Sequence, residues 1–386
     1  MSGLLLGQVL LRFEGDPTDI VSDLSAITLT PEPYLWVGSD ETTTIERLSP
    51  LRGASAGEVA SQVWGNHHAF AIADLLDWPT DTEIDCEGFD YDQHYLWVVG
   101  SHSSKRQKPK GKNPKKDMER LATVVTEPSR YLLARLPLWA GDLQRRCAHP
   151  EGGKPDLTAA CLPGWEQPGS LLDVLAADVH LQAFLNPAIA SKENGFDLEG
   201  IAVRGDRVFL GLRGPVLRGW AIVLDCTVEE TAPGTLGLTQ LGKMRYHKHF
   251  LNLNGLGVRD LCFDGDDLLI LAGPTMDLVG MMQLFRLKDA LTLTGDTIAA
   301  QGEGRLEWVF DFPWRSQGDK AEGMTLFPHL DPHRQQETSL LVVYDSPLPE
   351  RLPHEKAILA DVFATTCDRQ IGSLENSAQK RKRIPR

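Results

Sequence analysis

The sequence predicts an all-β fold, a five-bladed β-propeller closed by its N-terminal strand, on three observations. One pattern of short strands recurs five times along the 386 residues, and self-similarity at a fixed period marks a repeat architecture. Its opening residues, 25, 87, 199, 260 and 322, are separated by 62, 112, 61 and 62 positions. The fifth copy lacks a last strand, whereas the N-terminus carries a spare one, QVLLRFEGD (8–16), just ahead of the first copy. Ends that complement each other close a ring, which hides the strand edges that an open stack would expose.

The first copy runs Asp23-Leu24-Ser25-Ala26-Ile27, YLWVGSD (34–40) and TIERL (44–48), and HAFAIADLLDW (68–78) supplies its fourth strand. The second runs Asp85-Cys86-Glu87-Gly88-Phe89, YLWVVGSH (95–102) and YLLARL (131–136). The third is Asp197-Leu198-Glu199-Gly200-Ile201, RVFLGLR (207–213) and GWAIVLD (219–225), followed by KHFLNL (248–253). The fourth is Val258-Arg259-Asp260-Leu261-Cys262, LLILAGP (268–274) and QLFRL (283–287), followed by LEWVFDFPW (306–314). The fifth is Lys320-Ala321-Glu322-Gly323-Met324, LLVVYDS (340–346) and ILADVF (358–363). Short runs rich in β-branched and aromatic residues, bounded by Gly, Asp and Ser, argue for strands.

The long interval calls for an insertion. Residues 137–196 hold no copy of the pattern, but SLLDVLAADVHLQAFL (170–185) spaces its apolar residues helically behind Ser170 and Asp173. A helical insertion in the second blade is expected there, with a degenerate sixth blade as the alternative. Residues 1–366 then form one domain, and 367–386 a polar, basic, disordered tail.

Composition bounds the function. At 42% hydrophobic and 24% charged residues the chain is globular in type. No apolar run reaches the ~18–20 residues of a membrane span. The start, MSGLLLGQVLLRFEG, has neither a basic n-region nor a small-residue cleavage site, so a cytoplasmic location is expected. The six cysteines show no metal-type spacing and are expected to be reduced, with Cys147, His149 and Cys161 the only group that invites a bridge or a metal. Net charge is −14, yet residues 105–116 (KRQKPKGKNPKK) carry seven positive charges and no acid, and KRKRIPR at the end carries five more. An acidic body with two basic segments argues against nucleic acid as a partner except through the loop 105–116.

The start of each inner strand lies on the face where the second strand ends, so Ser25, Glu87, Glu199, Asp260 and Glu322 are expected to converge on the axis. At an effective dielectric of ~20, each pair of like charges ~5 Å apart costs roughly 3 kcal/mol. Protonation or a hard cation relieves that repulsion, and an all-oxygen set suits Ca²⁺, with Mg²⁺ or Mn²⁺ possible. The plainer reading is structural, with Gly packing the blades and Glu accepting backbone hydrogen bonds. On the same face the loops offer Asp40, His102, Arg213, Thr275 and Asp345, with Arg218 close behind and Lys105 opening the basic run. Arg213, Arg218 and Lys105 would hold an anionic small molecule, and Asp40, His102 or Asp345 would handle the proton of water.

The run Asp23-Leu24-Ser25 with VGSDETTTI (37–45), and Cys86-Glu87 followed by LWVVGS (96–101), resemble the calcium-activated nucleotidases, or apyrases. The Glu-Gly openings are also similar to those of phytase-like propellers and of bacterial propellers of unknown function. The resemblance implies a central calcium on Ser25, Glu87, Glu199, Asp260 and Glu322, and hydrolysis of a nucleotide-like phosphate ester or anhydride beside it. Here Ser39-Asp40-Glu41 lacks the Arg of the family's Asp-Asp-Arg, and Asp260 stands where the family has Ser or Glu. Two other functions compete: a binding propeller with a structural ion and a protein partner on the channel face, and a metal-dependent esterase or lactonase. An exposed apolar patch on that face would mark the binding reading.

Overall fold

The computed structural model describes residues 5–15, 18–51, 60–186, 189–313 and 318–365. Strands dominate, and their hydrogen bonding follows the expected meanders, except that the first blade's fourth strand, expected over 68–78, runs over Gln62–Ala71 and gives way to a helical turn at Ile72–Leu75. Leu24–Leu29, Leu35–Ser39, Thr44–Pro50 and Gln62–Ala71 pair in order as the first blade. Gly257–Asp264, Asp267–Gly273, Gln283–Leu287 and Leu306–Asp311 do the same as the fourth. In the last blade Lys320–Pro328, Thr338–Asp345 and Ala357–Ala364 are completed by the N-terminal Leu5–Arg12, with Val9 opposite Ala360. Leu5–Arg12 also pairs in parallel with Gln62–Ala71, so the two ends of the ring are stitched together.

Among the described residues five strands wall the axis: Leu24–Leu29, Cys86–Asp92, Asp197–Arg204, Gly257–Asp264 and Lys320–Pro328. Each packs on the next, and the last packs back on the first. The apolar core is divided accordingly. One cluster joins Ile27 and Val37 to Leu341 and Val343, another joins Trp36 and Ile45 to Phe89 and Val98, and a third joins Leu269 and Phe310 to Met324 and Val342. The second strands, such as Arg207–Gly214, are buried over nearly their whole length, which explains their almost continuous apolar sequence.

Every inner strand carries a β-bulge at the same level, at Ser25, Glu87, Glu199-Gly200, Arg259 and Glu322. A bulge re-aims the side chain it carries. The glycine after each Glu answers to close approach: a Cβ on Gly88 would lie 3.0 Å from Gly200 Cα, one on Gly200 2.6 Å from Asp260 Cα, and one on Gly323 3.1 Å from Ile27 N. Gly200 also has φ +97°. Gly200→Ala is therefore expected to cost roughly 2–3 kcal/mol, read as a lowered midpoint of thermal or urea unfolding. At the other two junctions a side chain makes the link. Ser25 donates to Cys86 O, and Asp260 Oδ2 accepts from Met324 N at 2.6 Å.

The insertion differs from expectation. Between Leu133–Trp139 and Asp197–Arg204 lie short strand pairs and one short helix, Leu171–Leu175, capped as expected by Ser170, which accepts from Asp173 N. The helix does not run on to 185, because Asp178 turns its carboxylate onto the N–H groups of His180 and Leu181 and takes Tyr246 OH and Lys248 Nζ of the third blade. An Asp that offers its own acceptor to the backbone competes with the helix. A second insertion was not foreseen: residues 101–130 leave the second blade as an arm with an eight-residue helix, Pro114–Leu121. The basic segment expected to be a loop lies in this arm. The tail and Cys367 lie outside the described residues, and the other five cysteines are free.

Candidate ligand site at the channel mouth

The face that carries the strand openings has a cavity of about 660 Å³. Twelve Asp and Glu line it against six Lys and Arg. Asp85 with Glu87 in the second blade, and Asp197 with Glu199 in the third, stand at and just ahead of the bulges, and all four line the cavity. The pattern Asp-x-Glu at 85–87 and 197–199 carries the signal for Asp85 and Asp197, which a reading of the glutamate alone passes over.

At the base of the cavity the cations are arginines. Glu199, buried, accepts from Arg213 Nη1 at 2.6 Å and from Arg259 Nη1 at 2.9 Å. Arg259 Nη1 also reaches Glu322 Oε1 at 2.7 Å. Arg213 Nε and Arg259 Nη2 hold the carbonyls of Thr275 and Pro274, at 3.0 and 3.1 Å. Arg130 pairs with Asp85 nearer the mouth.

This arrangement corrects the expected five-residue set. The bulge places Arg259, not Asp260, at the level of the three glutamates. Asp260 instead spends both oxygens on backbone, Oδ1 on Leu261 N at 2.8 Å and Oδ2 on Met324 N, and Ser25 spends its hydroxyl on Cys86 O. Two of the five acceptors thus face adjacent strands, and a guanidinium lies between two others. Among the described residues no three His, Cys, Asp or Glu are grouped as a metal ion requires. The residues present do not fit a calcium on Ser25, Glu87, Glu199, Asp260 and Glu322.

The remaining expected residues divide. Asp40, Asp345, Lys105 and Arg213 line the cavity; His102 and Arg218 do not. His102, at φ +53°, turns inward, hydrogen-bonds Gly100 O through Nδ1 at 2.9 Å and packs edge-on against Tyr131. Burial holds its imidazole down at about 4, and its inward position keeps it out of reach of a substrate at the mouth. Arg218 sits exposed in the turn after the third blade's second strand. Lys105 pairs with Glu83 and with Glu127 at 2.7 Å, and these pairs pin the arm to the mouth. Asp345 accepts from Lys320 Nζ at 3.1 Å and from Ser346 Oγ at 2.7 Å; burial opposes its charge, but Lys320 prevails and holds it below the usual range.

The other carboxyls are pushed up. For Asp40, burial comes first and then Asp85, Glu322 and Asp345, raising it well above an ordinary aspartate. Glu87 is raised likewise by burial and then by Glu199, Asp85 and Asp40. Asp197 stands at about 7, through burial and Glu199 against the pull of Arg213, and Glu322 also at about 7, through burial and Asp345 against the pull of Arg259. Among the described residues of the wall, Asp40 Oδ1 and Asp197 Oδ1 are buried without a hydrogen-bond donor, whereas Asp85 Oδ2 and Glu127 Oε2 have ion-pair partners. Buried acceptors without partners are costly, and here they face a cavity.

A sequence-family model described as a protein of unknown function, DUF3616, matches residues 23–361. The chain belongs to the DUF3616 family. No curated protein sequence matches it. Among solved structures, this DUF3616 chain is similar to selenomethionine-substituted virginiamycin B lyase from Staphylococcus aureus, at 9% identity over 92% of this chain and 98% of that one, with a TM-score of 0.33. It is similar to the PQQ-bound aldose sugar dehydrogenase of Streptomyces coelicolor, at 12% identity over 93% and 99%, with a TM-score of 0.32. The β-propeller domain of Cps50 (Swd1) from Myceliophteria thermophila matches at 10% identity over 89% and 84%, with a TM-score of 0.31. No helix among the described residues of the DUF3616 chain is long and apolar enough to cross a membrane.

Proposed function

We propose that the channel mouth binds an organic cation, an amine or guanidine, as its ligand. The orphaned, buried Oδ1 atoms of Asp40 and Asp197 on a cavity wall that also carries Asp85, Glu87 and Glu322 support this reading most directly. A cation with several N–H donors would satisfy those acceptors and offset the repulsion that keeps their carboxyls raised. An anion finds no comparable welcome. Arg213 and Arg130, the buried cations of the wall, are already paired with Glu199 and Asp85, and Lys105 with Glu83 and Glu127, so an anion would rely on the exposed, solvent-screened Lys108 and Lys192. This reading reverses the charge of the ligand expected from the sequence. It also leaves aside metal-assisted phosphate hydrolysis, for which the five residues are not assembled and Arg213 is turned to the base of the channel.

The test is calorimetric titration with agmatine and spermidine, against inorganic phosphate and ATP, at pH 8. Agmatine or spermidine is expected to bind and the two anions not. Asp197→Asn, close in shape, is expected to weaken the amine about tenfold, the loss of one charge-assisted hydrogen bond. Binding of ATP or phosphate without binding of either amine would overturn the proposal. Asp40→Asn gives an independent sign: removing a buried charge among like charges is expected to raise stability by roughly 0.5–2 kcal/mol at pH 8 while weakening amine binding.

A further inference from the structure

The mouth of the cavity is bordered by apolar side chains that the fold leaves uncovered. Among the described residues, the large hydrophobic side chains left exposed include Met276, Leu278, Val279 and Met281, all in one loop, and Met118 and Leu121, both in the helix of the arm. Leu278 and Val279 are each 60% exposed and Met118 65%. The loop is placed on the mouth by its own sequence neighbour Asp277, which lines the cavity, and the arm by Leu121, which lines it too. The loop's base is fixed, since Arg259 and Arg213 of the channel hold the carbonyls of Pro274 and Thr275. An apolar rim around an acidic hole therefore stands on a rigid footing. Scattered exposed hydrophobics need no explanation, whereas a clustered set beside a polar cavity marks a contact surface.

On the reading that the cavity takes a cation, we infer that the occupant is a peptide segment of a partner protein, whose Lys or Arg side chain enters the acidic cavity while apolar neighbours of that residue lie across the Met276–Met281 loop and the arm helix. Charge complementarity selects the basic side chain. The position of the apolar groups selects a peptide over a small amine: Leu278 and Val279 lie outside the cavity, so a ligand that merely fills it leaves them wet, and only a chain extending beyond the mouth covers them. Methionines suit such a rim because their flexible, polarisable side chains adapt to varied partners. Of the cations lining the cavity on this side, Lys105 is neutralised by Glu83 and Glu127 and Arg106 by Glu193, while Lys108 and Lys192 are exposed and stand against a lining of twelve carboxyl groups.

The probe is a fluorescein-labelled pentapeptide with arginine at its centre and leucine on either side, read by fluorescence anisotropy with the full chain. Matched peptides carry glutamate at the centre, or arginine flanked by glycine. The arginine–leucine peptide is expected to bind at least tenfold more tightly than either, given that every factor of ten is about 1.4 kcal/mol. The double variant Leu278→Ser, Val279→Ser is expected to lose about that factor for the peptide and to keep agmatine affinity unchanged, because these residues touch only the outer chain. Equal affinity of the glycine-flanked peptide, or no effect of the double variant, with agmatine still bound, overturns the peptide inference alone. Tight binding of the glutamate peptide overturns it as well, and loss of agmatine and peptide binding together removes the cation reading on which it rests.

Discussion

Arg259→Met is expected to destabilise the protein by about 3–5 kcal/mol, the usual cost of leaving a buried charge without its partner. The methionine keeps most of the volume and removes the guanidinium that lies between Glu199 and Glu322. Arg213 would then face Glu199 alone, and Glu322 would have no cation within reach of the same bond. The carbonyl of Pro274 would lose its donor too, loosening the loop beside the mouth. A chemical unfolding curve at pH 8 measures the loss. Because the cost is one of charge rather than packing, the second-site change Glu322→Gln is expected to return a good part of it in the double variant, an interaction that a double-mutant cycle reads directly. A loss below ~1 kcal/mol, or no recovery in the double variant, would mean that the arginine fills space and does not serve as the channel's counter-ion.

The propeller was legible because its physics is repetitive. Five strands buried on both faces leave near-continuous apolar runs such as LLILAG and LLVVYD, and the spare N-terminal strand announces the closure that Val9 and Ala360 make in the sheet. The site was legible only to within one residue in the fourth blade. All five inner strands are bulged at this level, and in the fourth the bulged residue is Arg259, whereas the carboxylate that the repeat leads one to look for is its neighbour Asp260. Near-equal spacing concealed the slip. The charge of that position decides the chemistry, since a fourth carboxylate would have asked for a metal and an arginine supplies the cation instead. His102 failed for another reason: the end of a second strand is on the right face, but a left-handed residue there turns its side chain into the core. Nothing in a sequence without its turns reports that. The apolar loop at 276–281 was present as letters, yet its exposure depends on what the arm and the neighbouring blades leave uncovered.

Agmatine affinity is expected to climb with pH from about 5.5 to 7.5 and then level off, and in the same window the ligand-free protein is expected to become less stable. The cause is shared. Asp197 and Glu322, each at about 7 in the folded chain, would titrate near the ordinary carboxylate value of about 4 when unfolded. Between those values the folded state holds more protons than the unfolded state, so stability falls as pH rises and has lost this contribution above about 7. The groups that set the two sites oppose each other: Glu199 and Asp85 raise Asp197 while Arg213 and Arg130 lower it, and Asp345 and Glu199 raise Glu322 while Arg259 and Arg213 lower it. The opposite limb belongs to carboxylates held low. Asp361 accepts from Arg351 at 2.7 Å and Asp225 from Arg207 at 2.6 Å, and although burial opposes their charge both are lowered. Their contribution is present above about pH 4 and lost as pH falls through their folded values. Stability should therefore peak in acidic solution, at about pH 4, and decline toward pH 8. A bound cation reverses that decline, because it pairs with the ionised forms and expels their protons. Each proton released is worth a tenfold rise in affinity per pH unit within the window, so one or two released protons give a slope of about one to two in log affinity. Calorimetry at pH 6, 7 and 8 in buffers of different ionisation heat counts those protons. Asp197→Asn should flatten the slope by about one unit. A flat affinity profile, with no protons released, would show that the cavity carboxyls are already ionised before the ligand arrives, and would remove the link between the orphaned acceptors and a cationic partner.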